Sequence, residues 1–165
     1  MGLFIKSENL TVCSIERITA LEKPKIYLDN CSYNRPFDNQ SQIKVRLETE
    51  AKLFIQNGIR EGEYSLCWSY MLDYENGKNP YTEKRNAIAP WKNIATDYCP
   101  SSDTVLMRGR ELMKFGIKQN DALHISCAIE RGCEYFITTD DILTKKNNDS
   151  IEIINPIDFM REMEV

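Results

Sequence analysis

Two stretches, Ile26-Tyr27-Leu28-Asp29 and Tyr135-Phe136-Ile137-Thr138-Thr139-Asp140, decide how this chain folds. Each is a short apolar run that halts at an aspartate, the pattern of a strand buried on both faces. Between them, Tyr64-Ser65-Leu66-Cys67-Trp68 reads as another strand, leading into a short helix through Met71, Leu72 and Glu75 that Lys78-Asn79-Pro80 breaks. Ile151-Glu152-Ile153-Ile154 is a last strand, with Pro156 and a short terminal helix behind it.

Helical spacing fills the intervals. Asn34-Arg35-Pro36-Phe37 makes a loop; Ile43, Leu47, Ala51, Phe54 and Ile55 then recur at helical spacing, and Gly58 is placed to end that helix. Residues 83–98 are helical in character, interrupted at Pro90. Ser102 can cap a helix carrying Val105, Gly109 and Leu112, closed by Gly116, and Asn120 can cap the next, with Ala122, Ile125 and Ile129 inward and Gly132 as the stop. Strands of four to six residues separated by helices imply right-handed crossovers and a mainly parallel sheet. One α/β domain is expected over residues 25–165. Residues 1–24 have weak periodicity and close at Pro24, which suggests an N-terminal extension or arm.

Bulk properties narrow the class. A chain of 165 residues favours one domain with a sizeable core, and 42% hydrophobic with 28% charged residues is ordinary for a soluble globular protein. No apolar run approaches the roughly 20 residues that span a bilayer, and the N-terminus lacks a secretory signal, so a cytoplasmic location without membrane contact is expected. In that compartment the six cysteines are expected as reduced thiols, and none forms the CxxC pair of a structural zinc site. The net charge of −4 excludes a broad basic field for duplex nucleic acid. Any nucleic-acid contact must be local or helped by cations.

Chemistry is expected beyond the carboxyl ends of the strands, where open α/β sheets build their sites. Asp29 and Asp140 each terminate a strand, Asp121 sits at a helix start, and Glu75 lies a turn or two past the Cys67–Trp68 strand. Carboxylates crowded there repel one another unless a cation neutralises them or some take up protons. Oxygen-only sets of this kind suit Mg²⁺ or Mn²⁺. Spacing alone leaves the bland alternative open, with Asp121 and Asp140 as helix caps and Glu75 a solvated charge. A paired-histidine acid–base mechanism is excluded, because the chain has one histidine.

Three segments together resemble the PIN domain, the nuclease fold of many bacterial toxin–antitoxin toxins and of some RNA-processing enzymes. Ile26-Tyr27-Leu28-Asp29-Asn30-Cys31 is similar to the family's opening strand with its first metal-site aspartate. Asn120-Asp121-Ala122-Leu123-His124-Ile125-Ser126 is similar to its D-A-x-H-x-A helix start, with Ser126 at a usual alanine. Tyr135-Phe136-Ile137-Thr138-Thr139-Asp140-Asp141 is similar to its final strand with a T-x-D turn. The family's middle acid usually follows a strand-end serine by six residues, as Glu75 follows Ser69; Asp73 competes for that place, and two residues apart on a helix they cannot both face one site.

The resemblance implies a three-layer α/β/α fold and an endoribonuclease that uses Mg²⁺ or Mn²⁺. Asp29, Glu75, Asp121 and Asp140 would be catalytic and hold the metal. Thr139 would orient a carboxylate or water, with Asn30 and Asp141 supporting, and His124 would be a structural helix residue. Arg35, Lys145 and Lys146 are the best placed to meet RNA phosphates; Tyr33 and Phe37 near the mouth could stack bases, although core or loop packing is the expected place of Phe37. The implied partners are an RNA substrate, an antitoxin protein and a second copy meeting through the helices around Pro90. Two other readings compete. One is a catalytically silent PIN-like module that binds RNA or protein, against which all four acids are intact. The other is a phospho-acceptor signalling domain, which normally needs adjacent acids before its first helix; here Leu28 and Asn30 flank Asp29.

Overall fold

The computed structural model describes residues 22–164. Residues 1–21, most of the expected arm and Cys13 with them, lie outside the described residues. The five strands are β1 (Lys25–Leu28), β2 (Ser65–Ser69), β3 (Asp97–Cys99), β4 (Tyr135–Ile137) and β5 (Glu152–Ile154). They form one all-parallel sheet in the order β3-β2-β1-β4-β5. The helices are α1 (Asn30–Asn34), α2 (Ile43–Glu61), α3 (Tyr70–Lys78), α4 (Thr82–Ile88), α5 (Trp91–Ile94), α6 (Asp103–Met113), α7 (Gln119–Glu130) and α8 (Pro156–Met163), with 3-10 turns at Arg35–Phe37 and Leu143–Lys145. Helices cover both faces of the sheet, giving three layers: α2 packs with α8, and α6 with α7.

Burial explains why β1, β2 and β4 are legible in the sequence. Ile26, Tyr27, Leu28, Leu66, Cys67, Phe136 and Ile137 are completely buried, as a central strand covered on both sides requires. Side chains alternate across the sheet, and Tyr27 points to α7, where its hydroxyl lies 2.6 Å from His124 Nδ1 and 2.6 Å from Ser69 Oγ. Polar caps set the helix starts. Ser69 Oγ accepts from the Leu72 amide, Ser102 Oγ from Val105, and Asn155 from Ile157 ahead of Pro156.

Several expectations are corrected. The Asn34–Phe37 loop is helical, as the last residue of α1 and a 3-10 turn. α2 runs past Gly58 to Glu61 and ends at Gly62, whose φ of 77° is left-handed. Gly58 serves instead as a contact point, since a Cβ there would come within 2.6 Å of the Tyr64 ring. The buried face of α2 is Val45, Glu48, Thr49, Lys52, Ile55, Gln56 and Ile59, while Ile43 (67% exposed) and Phe54 (60% exposed) point outward. Residues 83–98 end in strand β3, which carries no apolar run because an edge strand needs only one hydrogen-bonded neighbour. α7 starts at Gln119, and Asn120 lies in its first turn rather than at its cap. None of the described helices is long and apolar enough to cross a membrane. The described cysteines are all free thiols.

Candidate metal centre

The strand order places β1 between β2 and β4, so residues leaving their carboxyl ends converge on one edge. Asp29 follows β1 and caps α1: Oδ1 accepts the Asn30 amide at 2.7 Å. Its Oδ2 accepts the Thr138 hydroxyl at 2.8 Å and the Cys31 thiol at 3.2 Å. Thr138 Oγ1 also accepts the Asp140 amide at 3.2 Å, which ties the ends of β1 and β4 together. The threonine that hydrogen-bonds Asp29 is thus Thr138, the neighbour of the expected Thr139. Thr139 contributes its carbonyl to Arg35 and its amide to the Cys31 sulfur.

Glu75 projects from the second turn of α3 toward the same edge. Its Oε1 accepts from Asn120 Nδ2 at 3.2 Å, and Oε2 lies 3.0 Å from His124 Nε2. That imidazole contact is electrostatic, because the N–H axis is turned off the oxygen and Nε2 has no hydrogen-bond acceptor. One ligand atom each from Asp29, Glu75 and His124 lie within 4.8 Å of one another. Asp73 faces elsewhere, held by Trp68 Nε1 at 2.9 Å, Lys92 Nζ at 2.8 Å and Tyr98 Oη at 3.0 Å.

Electrostatics draws the other two acids into the same field. Burial raises the Asp121 carboxyl, and the negative charges of Asp29 and Asp140 raise it further, to about 6; Glu75 adds to this and His124 opposes it. Burial also works to raise Glu75, but the charge of the His124 ring 3.0 Å away, with the Asn120 hydrogen bond and the nearby Asn30 amide, holds it below its ordinary value. For His124, burial favours the neutral ring; Glu75, Asp29 and Asp121 outweigh it and raise its pKa. Asp140 stands further out. Its Oδ1 accepts the Ile142 and Leu143 amides, so it caps the turn after β4 while lending its charge to the cluster.

The remaining candidates are dispersed. Asn30 lines the groove beside Glu75, with its side-chain oxygen and its carbonyl near Asn34 Nδ2. Asp141 points to solvent and pairs with Lys44. Arg35 is already committed, with Nε 2.7 Å from the fully buried Glu48 and Nη1 3.0 Å from Asp38. Lys145 is exposed near Asp141, and Lys146 donates to the Phe115 carbonyl at 3.3 Å, facing away from the acids. Tyr33 is a core residue packed on Trp68, whereas Phe37 is exposed. A groove of about 430 Å³ opens beside Glu75, lined by Asn30, Asn34, Tyr74, Glu75, Lys78 and Asn120 among others. Lys78 is therefore the cation at the mouth of the site, and nothing in its local sequence distinguishes it from other lysines.

The donor set fits a hard divalent cation. Two ligands on an octahedral ion with bonds of about 2.1 Å stand about 3.0 Å apart when adjacent and about 4.2 Å when opposite. A group already within 4.8 Å needs at most about 2 Å of contraction between any two of its atoms to reach that geometry. The raised Asp121 carboxyl and the acceptor-less His124 Nε2 are two signs of unneutralised or unpartnered polar groups that such an ion would relieve.

Compared with family models and with curated proteins, the chain matches none. Among solved structures its fold is similar to VapBC2 from Rickettsia felis, crystallised bound to a DNA fragment from their promoter. The match has a TM-score of 0.47 and 17% identity, and covers 79% of this chain and 98% of that one. At that score and identity nothing about this chain is argued from the match.

Proposed function

We propose that residues 25–165 form a PIN-like, Mg²⁺- or Mn²⁺-dependent endoribonuclease that hydrolyses RNA to 5′-phosphate and 3′-hydroxyl ends. The observation that carries this reading is the convergence of Asp29, Glu75 and His124 within 4.8 Å at the carboxyl edge of the central strands, outside which Asp121 still feels the charge of Asp29 and Asp140. A divalent ion held there supplies charge stabilisation at the phosphodiester and lowers the pKa of a water. Asp29, Glu75 and Asp121 would hold it, with His124 able to lend a nitrogen ligand and Asp140 a further negative charge. Thr138 and Cys31 fix the Asp29 carboxylate, and Asn120 fixes Glu75, so two acids enter the reaction already oriented. Lys78 at the groove mouth is suited to a substrate phosphate, with Lys145 as an outer contact.

The same reading extends to a toxin role, an antitoxin partner and a homodimer, all of which rest on the motif resemblance. A specific observation favours the silent-module alternative. The His124 ring sits 3.0 Å from Glu75, where an imidazolium would neutralise the acids without any metal.

The deciding experiment compares wild type and Asp121→Asn on a mixture of single-stranded and transfer RNA, with and without Mn²⁺, alongside calorimetric Mn²⁺ titration. Metal-dependent cleavage by wild type that is lost in the variant sustains the nuclease. Mn²⁺ binding with no cleavage by either protein moves the reading to a binding module. Absence of both binding and cleavage abandons the metal site altogether.

A further inference from the structure

A second cavity, about 250 Å³, lies among α1, the 3-10 turn, α2, α4 and α5, and it shares no lining residue with the groove at Glu75. Tyr33, Phe37, Lys52, Gln56, Arg60 and Trp91 form much of its wall. Its charge is unusual for a protein of net charge −4. Lys52 is 5% exposed, and Arg60 lies two turns further along the same helix with its guanidinium 4.8 Å from the Trp91 ring centre. Lys84 adds a third cation at the rim, 5.6 Å from the Phe37 ring centre.

Among the described residues, none of these three cations has a carboxylate within 4.0 Å. Other strongly buried charges in the protein do have partners: Glu48 meets Arg35 and Asn155, and Asp29 meets Thr138 and the Asn30 amide. The Lys52 ammonium lies 5.8 Å from the Tyr33 ring centre, at the outer limit of a cation–π contact, which does not replace a counter-charge. Burial and the nearby Arg60 push its pKa down to about 8, as expected for a cation held without an anion. Two further groups of the wall, Tyr33 Oη and Gln56 Nε2, are buried with no hydrogen-bond partner. A buried unpaired charge and orphaned polar groups are costly, so such a cluster persists where something else completes it.

We propose that this cavity binds a small phosphate monoester carrying a planar group, a nucleoside monophosphate in type. Lys52 and Arg60 receive the phosphate, the unpartnered Gln56 amide and Tyr33 hydroxyl stand behind them, and Phe37 and Trp91 form the apolar wall. A doubly charged phosphate matches two cations lining one cavity better than a single carboxylate does. The volume limits the bound portion to the phosphate and part of the attached group, the remainder passing out over exposed Phe37. The phosphate has two chemical sources, a free mononucleotide or the phosphorylated end of a strand.

The test uses the full chain in a chelator, so that no divalent ion bridges phosphate to the acids. Adenosine monophosphate, adenosine, inorganic phosphate and a 5′-phosphorylated dinucleotide are titrated by calorimetry, with tryptophan fluorescence following Trp91. Adenosine monophosphate is expected to bind, with adenosine at least about tenfold weaker. Lys52→Met and Arg60→Gln are each expected to weaken it by at least about tenfold, while Glu75→Gln leaves it unchanged. Lys52→Met should also melt higher than wild type, because it removes an uncompensated buried charge. Should that variant fail to fold, Arg60→Gln at an exposed position carries the comparison. Equal affinity for the dinucleotide identifies a strand end as the source, and much weaker affinity a free mononucleotide; both sustain the site. No binding of any phosphate-bearing probe, undiminished binding in the folded cavity variants, or loss in Glu75→Gln overturns it.

Discussion

At the residue scale, Asp121 shows what crowding of like charges does to a fold. Its carboxyl stands at about 6 against an ordinary 3.8, chiefly through burial and then the charges of Asp29 and Asp140. A carboxyl raised in this way stabilises the folded state while protonated; that stability is fully present below about pH 4 and is lost as pH rises through about 6. In a chelator, Asp121→Asn should therefore match wild type near pH 4 and exceed it above pH 6 by about 1–2 kcal/mol, discounted for partial solvent screening. Thermal melts across that range check the sign, and an asparagine variant less stable than wild type at neutral pH contradicts it. Thr138 supplies the complementary case. Its hydroxyl both donates to Asp29 and accepts from the Asp140 amide, so Thr138→Val strands two polar groups and should cost about 1–3 kcal/mol. The Thr139 hydroxyl carries neither of those bonds, so Thr139→Val should cost less. Chemical denaturation of the pair separates the two threonines, and a larger loss at Thr139 would reverse their assignment.

The element scale is where local pattern and packing disagree. Gly58 looks like a helix stop, yet α2 passes through it, because the position is needed for the close approach of Tyr64. A Cβ there would meet two ring carbons at 2.6 and 2.9 Å, so Gly58→Ala is expected to destabilise by about 1–3 kcal/mol through overpacking. Gly77 in α3 is the internal control. Nothing lies within 4 Å of the point an alanine methyl would occupy, so Gly77→Ala should be neutral or stabilising by up to about 1 kcal/mol. Urea unfolding of both variants tests this, and equal effects at the two glycines would refute the packing account. The outward Ile43 and Phe54 carry a related lesson. Helical spacing identifies a helix but not the side that faces the sheet; that side carries Glu48 and Lys52, each compensated or left uncompensated by residues distant in sequence.

For the whole molecule, the parallel sheet order gathers acids from three chain regions at one edge, and a ligand that bridges them couples those regions. Divalent metal bound only by the folded state should raise stability by about 2.7 kcal/mol at a hundredfold excess over Kd. For a domain of this size that corresponds to a Tm increase of about 5–10 °C. Wild type is expected to show this with Mn²⁺ and Asp29→Asn is not, as differential scanning calorimetry can establish; an equal shift in both places the metal elsewhere.

Much of the fold was legible because buried strands and capped helices leave short-range marks. The runs at Ile26–Leu28 and Phe136–Ile137 are legible because a strand covered on both faces carries continuous apolar residues, and each is too short for a buried helix. Ser69 and Ser102 act as caps within their own turns. The acids at 29, 75 and 121 were legible as candidates for the same reason, because strand ends and helix starts are local features. The features that could not be read locally depend on contacts between distant residues. Edge strand β3 exists because Cys67–Ser69 offers it a ladder. Glu75 rather than Asp73 reaches the site because Trp68, Lys92 and Tyr98 hold Asp73 away. His124 faces the acids because Tyr27, nearly a hundred residues earlier, fixes the other side of its ring. Arg35 is paired with the buried Glu48, and Lys52 is enclosed without a counter-charge among the described residues. A side chain's type is written in the sequence, but its partners are set by which elements pack together, and partners determine which charges remain available for chemistry.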